Sequence, residues 1–193
     1  YPKLFYEAFK DTVITGEQVL IALSQFQITL LSVNSKYDAV RQGFDVFSEQ
    51  EKKGYHLFLE HCNSCHKEPL FFENKDENNG LKVDTFLNDF GRWNITKVSR
   101  DSLKFKTPSL RNLSYTKPYM HDGRFATINQ VLEHYSTGIQ PNPNLDQELK
   151  DFNTGLPKEF NLSEYDKQAL IAFFGTLTDS VMLVDPKFSD PFK

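Results

Sequence analysis

The stretch FLEHCNSCHKEPLFF, residues 58–72, contains both cysteines of this 193-residue chain. Within it, Cys62 and Cys65 are separated by two residues, and His66 follows directly. Three kinds of site use such a cluster: a zinc site, a dithiol redox centre and a covalent attachment site for haem. The surrounding sequence distinguishes them.

A zinc site needs four ligands, often as two separated pairs, and this chain offers one cysteine pair. A thioredoxin-like dithiol lies beside a βαβ pattern, and no alternating strand run of useful length is present. The spacing C-x-x-C-H, in contrast, is the attachment signature of c-type haem. The sequence therefore predicts one covalent haem c, bound through thioethers by Cys62 and Cys65, with His66 as the proximal iron ligand.

Composition limits the partners and the compartment. Hydrophobic residues make up 39% of the chain and charged residues 25%, which is typical of a soluble protein with a core. The net charge of −4 does not favour nucleic acid or an anionic membrane surface. No apolar run approaches the roughly 20 residues of a membrane span. Covalent haem attachment by this motif takes place outside the cytoplasm, so we predict a periplasmic location.

The fold class follows from helix signals. Capping boxes, in which Ser or Thr precedes an acid or amide by three residues, predict helices after Thr15, Ser48, Thr127 and Ser163. The helix after Thr15 is expected to be amphipathic, and the one after Ser48 to run to about His61. Weaker helices are expected at 1–10 and 36–42. The chain is predicted to be all-α, with a cytochrome c-like haem domain.

The chain is predicted to divide into three segments: an N-terminal helical segment at 1–47, the haem domain at 48–180, and a C-terminal tail at 181–193. Within the haem domain, a long irregular stretch runs from about residue 67 to 115. Loops of that length are unusual in compact domains unless they are functional or disordered. Because this one contains many aromatic residues, which disordered segments lack, we expect it to fold over the buried cofactor.

The residue opposite His66 decides the chemistry of the iron. A Met thioether gives a high-potential carrier, Tyr favours higher oxidation states, and an open face permits peroxide binding. In the helix after Thr127, Tyr135 lies on one stripe with three apolar residues, whereas His134 is rotated by roughly 100°. The same pattern fits a core tyrosine bonded to a backbone carbonyl. Met120 is the alternative sulfur ligand.

The run KFKTPSLRNLSYTKPYMHDGRFATINQVLEHYSTGI, residues 104–139, resembles the C-terminal haem domain of bacterial dihaem cytochrome c peroxidases and MauG enzymes. The segments YPKLFYEAF, LIALSQFQITLLSVNSKYD, DFGRWNIT and LSEYDKQALIAFFGTLT are similar to further landmarks of that family. The resemblance covers nearly the whole chain. The combination of C-x-x-C-H, PSLRN and PYMHDGR carries it most specifically.

The resemblance also implies site residues. The distal ligand of the family's second haem lies fourteen residues beyond the histidine of the HDG motif, which leads from His121 to Tyr135. That position is Met in the classical peroxidases and Tyr in MauG. Tyr135 thus becomes the first candidate, while Met120, His121, another residue or an open face stay open. Thr116 and Pro118 match positions that lend backbone carbonyls to calcium, an ion that prefers oxygen ligands.

Two further sets of residues are expected around the haem. Buried propionates need cationic partners. The candidates are Arg111 and Arg92, followed by Lys106 and Arg124. For acid–base chemistry with peroxide, the candidates are His121 and His134.

The predicted function is that of an oxidoreductase of the peroxidase type. The haem domain would reduce hydrogen peroxide or carry electrons to a haem that does. The alternative is an electron-transfer cytochrome c module with no catalysis at its own haem. Since the family is dihaem and this chain has one C-x-x-C-H, the chain is expected to be the C-terminal half of such an enzyme or a lone descendant of it. Expected partners are a second haem domain or chain and a small electron donor, either a cytochrome or a cupredoxin.

Overall fold

The secondary structure is predominantly helical, as the sequence predicts. The computed structural model describes residues 1–190. Its α-helices, in chain order, are α1 Pro2–Phe9, α2 Gly16–Thr29, α3 Lys36–Arg41, α4 Glu49–His61, α5 Trp93–Thr96, α6 Ile128–Glu133, α7 Glu164–Gly175 and α8 Ser180–Val184. Two short strands, β1 Asp76–Glu77 and β2 Phe105–Lys106, pair antiparallel. A π-helical turn, His134–Gly138, continues α6.

The capping boxes begin the helices as predicted. Thr15, Ser48, Thr127 and Ser163 each accept a hydrogen bond from the backbone N–H three residues later, and the side chain of that third residue bonds back. These bonds satisfy N–H groups that the first helical turn leaves without partners. A fifth box, at Ser35, begins α3. Because α4 ends at His61, the cysteine cluster lies at its C-terminus.

The described residues form two compact units. One contains residues 35–179, and the other contains residues 1–34 together with 180–190. The division places α3 in the larger unit, although the sequence analysis assigned it to the N-terminal segment. Of the predicted tail at 181–193, residues 191–193 lie outside the described residues.

The smaller unit contains α1, α2 and α8. The helix α2 forms where it was predicted, but its apolar side chains are largely exposed: Leu20 is 69% and Phe26 52% accessible. Phe26 also meets the ring of Phe188 edge-on, with centroids 6.5 Å apart. Among residues 1–190, no helix is both long and apolar enough to cross a bilayer.

The core of the larger unit lies between α4 and α7. Phe173 of α7 is completely buried, and its ring contacts six other aromatic rings. These rings belong to Tyr37, Phe47, Tyr55, Phe58, Phe71 and Phe174. On α4, Gly54 faces the backbone of α7 so closely that a Cβ atom there would lie 1.9 Å from the carbonyl oxygen of Ala169. Phe58 and Phe71 connect this core to the segment that follows the cysteine cluster.

Candidate haem site

His66 is oriented by two backbone carbonyls. Its Nδ1 lies 3.0 Å from the Pro108 oxygen and 3.3 Å from the Phe71 oxygen. Since carbonyls only accept hydrogen bonds, Nδ1 carries the proton and Nε2 keeps its lone pair. Burial lowers the pKa of His66, which favours the neutral imidazole. Metal-binding histidines are usually oriented through the second nitrogen in this way.

The two cysteines are held beside His66 by a tight turn. The backbone N–H groups of Cys65 and His66 both donate to the carbonyl of Cys62, at 3.2 and 2.9 Å. Both thiols are free, and burial raises the pKa of Cys62 to about 12 and that of Cys65 in the same direction. Surroundings that oppose a charged thiolate suit an uncharged thioether sulfur.

A cavity of about 390 Å³ opens beside His66. A smaller one of about 90 Å³ adjoins it and reaches Cys65. The two share six lining residues: Cys62, His66, Glu77, Asn79, Leu132 and Tyr135. The larger volume lies in the range of small-molecule and cofactor sites. An apolar cavity between two cysteine sulfurs and a free imidazole nitrogen fits covalent haem c.

The stripe predicted for the helix after Thr127, which α6 and the π-helical turn now contain, faces this cavity. Ile128, Val131, Leu132 and Tyr135 all line it. The Tyr135 oxygen accepts a hydrogen bond from the Asn79 side-chain amide at 3.4 Å, and among the described contacts it has no acceptor for its own proton. Burial raises the pKa of Tyr135 to about 12. Phenolate at this position would therefore require a compensating positive charge, which ferric iron supplies.

Met120 and His121 also reach the cavity. They lie in a hairpin in which Tyr119 and Phe125 form an antiparallel bridge. Met120 occupies the left-handed region with φ of 71°, and its sulfur lies 3.6 Å from the Asn79 side-chain nitrogen. The His121 ring stacks on Phe105, with centroids 3.6 Å apart. Both candidates for an alternative distal ligand are therefore at the site.

The two histidines proposed for acid–base chemistry are placed differently. His121 lines the haem cavity, and its side chain is 21% exposed. His134 is buried, its Nε2 lies 3.0 Å from the Asn79 carbonyl oxygen, and it is not among the residues that line either cavity beside His66. The geometry therefore favours His121 for that role and gives His134 a structural contact.

The arginines proposed for the propionates are engaged elsewhere. The Arg111 guanidinium donates two hydrogen bonds to Asp38, at 2.9 and 2.8 Å, and two to the Pro69 carbonyl. Arg92 pairs with Asp76 and Asp101 on the surface. Neither arginine lines the larger cavity. The structure therefore does not favour either as a propionate partner, because each guanidinium already pairs with carboxylates away from the larger cavity.

Thr116 and Pro118, the expected calcium positions, lie on the wall of the larger cavity. Within residues 1–190, no group of three or more His, Cys, Asp or Glu side chains could hold a metal ion. Any calcium here would need further oxygen ligands.

Two residues at the site were not anticipated from the sequence. Asn79 lines both cavities and contacts both Tyr135 and Met120. Glu77 also lines both, and burial together with a hydrogen bond to Asp146 raises its pKa to about 7. Glu77 can therefore hold a proton beside the cavity near neutral pH. Neither residue belongs to a periodic pattern, and the polar sequence around them predicts a turn.

Comparisons with known proteins show which proteins this chain is similar to. The MauG protein of Methylorubrum extorquens is 34% identical over 183 residues, which cover 92% of this chain and 49% of that protein. Cytochrome c551 peroxidase of Nitrosomonas europaea is 31% identical over 182 residues, which also cover 92% of this chain and 49% of that protein. The crystal structure of a MauG-like protein associated with microbial copper homeostasis superposes with a TM-score of 0.79 at 30% identity. That match covers 99% of this chain and 62% of the other.

A scan against protein-family models found no match. The chain spans about half the length of the curated relatives it matches. One of these relatives is by name a cytochrome c551 peroxidase, and the cysteine cluster, the cavity and the helical fold of this chain all fit a haem c cofactor. The chain belongs to the family of MauG proteins and bacterial cytochrome c peroxidases, in which it corresponds to the C-terminal haem domain.

Proposed function

We propose that the chain is the haem c domain of a MauG-like or cytochrome c peroxidase-type oxidoreductase, and that it carries electrons to or from a second, peroxide-reacting haem. One observation carries this proposal. The cavity beside His66 is also lined by Tyr135 and Met120, so further candidate ligands for the iron lie at the same cavity as His66. Haem with both axial positions filled supplies one-electron redox chemistry.

Each residue of the site has a defined task in this proposal. Cys62 and Cys65 form the thioethers to a single haem, and His66 presents Nε2 to the iron because its Nδ1 is bound to carbonyls. Tyr135 would supply the second protein ligand to the iron. The apolar side chains of α6 that line the cavity would limit the access of water and peroxide to it.

The partners follow from the same chemistry. The electrons would come from a small donor protein, a cytochrome or a cupredoxin, and would leave towards a second haem domain or chain where hydrogen peroxide is reduced. Thioether formation by this motif takes place outside the cytoplasm, which supports a periplasmic location. Calcium near Thr116 and Pro118 stays a proposal that depends on oxygen ligands from the second haem domain.

A simple electron carrier is the second candidate function. It is favoured by Met120, whose sulfur also lies at the cavity, because a thioether ligand raises the reduction potential. The potential of the purified haem protein shows which of the two residues is the distal ligand. Ligation by Tyr135 predicts a low potential, and ligation by Met120 predicts a high one.

Stopped-flow absorption tests the relay proposal. When the ferric protein is mixed with one equivalent of hydrogen peroxide, we expect little change of the Soret band, because no axial position is free. A Tyr135→Ala/Met120→Ala double variant should react rapidly, since it opens the distal face.

Phe86→Ala serves as the control, because Phe86 is 93% exposed and does not line the cavity; it should behave like the wild type. A rapid Soret change in the wild type would contradict the relay proposal and place peroxide chemistry at this haem. A double variant as unreactive as the wild type would contradict the assignment of the distal ligands.

A further inference from the structure

We propose that Asn79 is a positioning residue for the distal ligand: its side-chain amide donates a hydrogen bond to the Tyr135 oxygen, favours Tyr135 over Met120 at the iron, and raises the reduction potential of the haem. The inference deepens the proposed function and rests on it, since it requires haem bound between His66 and Tyr135. It assigns a role to a residue that no motif of the sequence marks.

The orientation of the Asn79 amide is determined by its neighbours. The Oδ1 atom accepts a hydrogen bond from the backbone N–H of Leu81 at 3.2 Å. Because that N–H can only donate, the oxygen of the amide must face it, and the nitrogen must face the other way. The Nδ2 atom then points to the cavity, where it lies 3.4 Å from the Tyr135 oxygen and 3.6 Å from the Met120 sulfur.

The backbone of Asn79 is tied to the same turn that carries Tyr135. His134, the residue before the tyrosine, directs Nε2 at the Asn79 carbonyl oxygen at 3.0 Å. A carbonyl only accepts, so this nitrogen is protonated and donates. The bond connects the irregular segment that follows β1 to the π-helical turn. It therefore holds the Asn79 amide next to the Tyr135 phenol.

The Asn79 amide thus lies within reach of two candidate ligands, the Tyr135 oxygen and the Met120 sulfur, which differ in strength as hydrogen-bond acceptors. A hydrogen bond to a charged oxygen is roughly twice as strong as one between neutral groups, and a thioether sulfur is a weak acceptor. Once the Tyr135 oxygen is anionic at the iron, the Asn79 amide gains most by bonding to it. The pairing therefore favours Tyr135 as ligand and leaves Met120 as the alternative.

The same bond changes the redox balance. An N–H donor withdraws negative charge from the phenolate oxygen, so the oxygen stabilises ferric iron less strongly. Hydrogen bonds to ligand atoms are among the means by which proteins tune the potentials of haem and related centres. Loss of the donor should therefore stabilise the ferric state and lower the potential.

The test uses the haem-loaded protein and two variants of Asn79. Asn79→Leu removes the donor at similar size, and Asn79→Asp replaces it with an acceptor. The midpoint potential is measured by spectroelectrochemical titration, together with the ferric absorption spectrum. We expect Asn79→Leu to shift the ferric–ferrous equilibrium about tenfold towards ferric, a fall of about 59 mV. In Asn79→Asp the new carboxylate would repel the phenolate, so Met120 should replace Tyr135 in the ferric spectrum and the potential should rise.

Asn144→Leu is the matched control. Asn144 also donates a hydrogen bond from its side-chain amide, in this case to the backbone carbonyl of Ser99 at 2.8 Å, but it lies outside the haem cavity. Its loss should leave the potential unchanged, whereas a merely structural role of Asn79 would change thermal stability and not the potential. If Asn79→Leu fails to fold, Asn79→Asp keeps the size of the side chain and decides the question.

Potentials and spectra equal to the wild type in both Asn79 variants would overturn the proposal. A Tyr135→Phe variant distinguishes a failure of the inference about Asn79 from a failure of the proposed function. If its ferric spectrum equals that of the wild type, Tyr135 is not the ligand and the inference about Asn79 fails, while a haem relay with Met120 would stand. If the wild type binds no haem, the proposed function fails as well.

Discussion

A His66→Ala variant is expected to keep its haem but to lose the proximal bond to the iron. The two thioethers from Cys62 and Cys65 hold the porphyrin independently of the histidine. The haem should therefore stay attached to the polypeptide when the protein is denatured. The ferric absorption spectrum should change from low-spin to high-spin, and the reduction potential should move with it. Absorption and electron paramagnetic resonance spectra measure the change directly.

Added imidazole should restore the low-spin spectrum of this variant. The Phe71 and Pro108 carbonyls that bind Nδ1 of His66 would bind the free imidazole in the same orientation. His56→Ala is the control, because His56 lies on an exposed position of α4 and is not among the residues that line the cavity. A low-spin spectrum in His66→Ala without imidazole would show that another residue is the proximal ligand.

Gly54→Ala is expected to destabilise the larger unit by about 3 kcal/mol, at the upper end of the usual cost of overpacking. The added Cβ would lie 1.9 Å from the carbonyl oxygen of Ala169 and 2.8 Å from Cβ of Phe173. Because the first contact is with backbone, relief requires α7 to move away from α4. Urea unfolding followed by circular dichroism measures the loss.

Gly175→Ala is the matched control for this substitution. Gly175 is the last residue of α7, and nothing lies within 4 Å of a Cβ added there. Alanine in a helix is more favourable than glycine by roughly 0.5–1 kcal/mol, so this variant should be equally or more stable. A Gly54→Ala protein as stable as the wild type would contradict the close α4–α7 crossing.

The parts of the site that could be predicted from the sequence are those with local signals. C-x-x-C-H predicts the haem-binding residues because its spacing is a property of five consecutive residues. The Thr127 cap and the apolar period of the next helix together predicted the stripe of the helix that contains Tyr135. In the structure, the residues of that stripe line the cavity. Four capping boxes were sufficient for four helix starts.

The rest depends on contacts between residues distant in the chain. Arg111 was expected at the haem, but its partner Asp38 lies 73 residues away and no local pattern connects them. Asn79 bonds to residues 41 and 56 positions later. An asparagine in a polar run predicts a turn, so its role at the cavity could not be found from the sequence alone.

The exposed face of α2 illustrates a different limit. The helix forms where the apolar period predicts it, but periodicity states only that one face should be apolar. It does not state what covers that face. In the described residues, Leu20 and Phe26 stay largely accessible to solvent.

Intact-mass spectrometry of the denatured protein tests the central claim most directly. The protein would be produced in a bacterial periplasm with cytochrome c maturation factors, and then unfolded in acid before measurement. We predict a mass that exceeds the polypeptide by one haem, and a polypeptide mass without haem in a Cys62→Ser/Cys65→Ser variant. A wild-type protein of unmodified mass would contradict the assignment of this chain as a c-type haem domain.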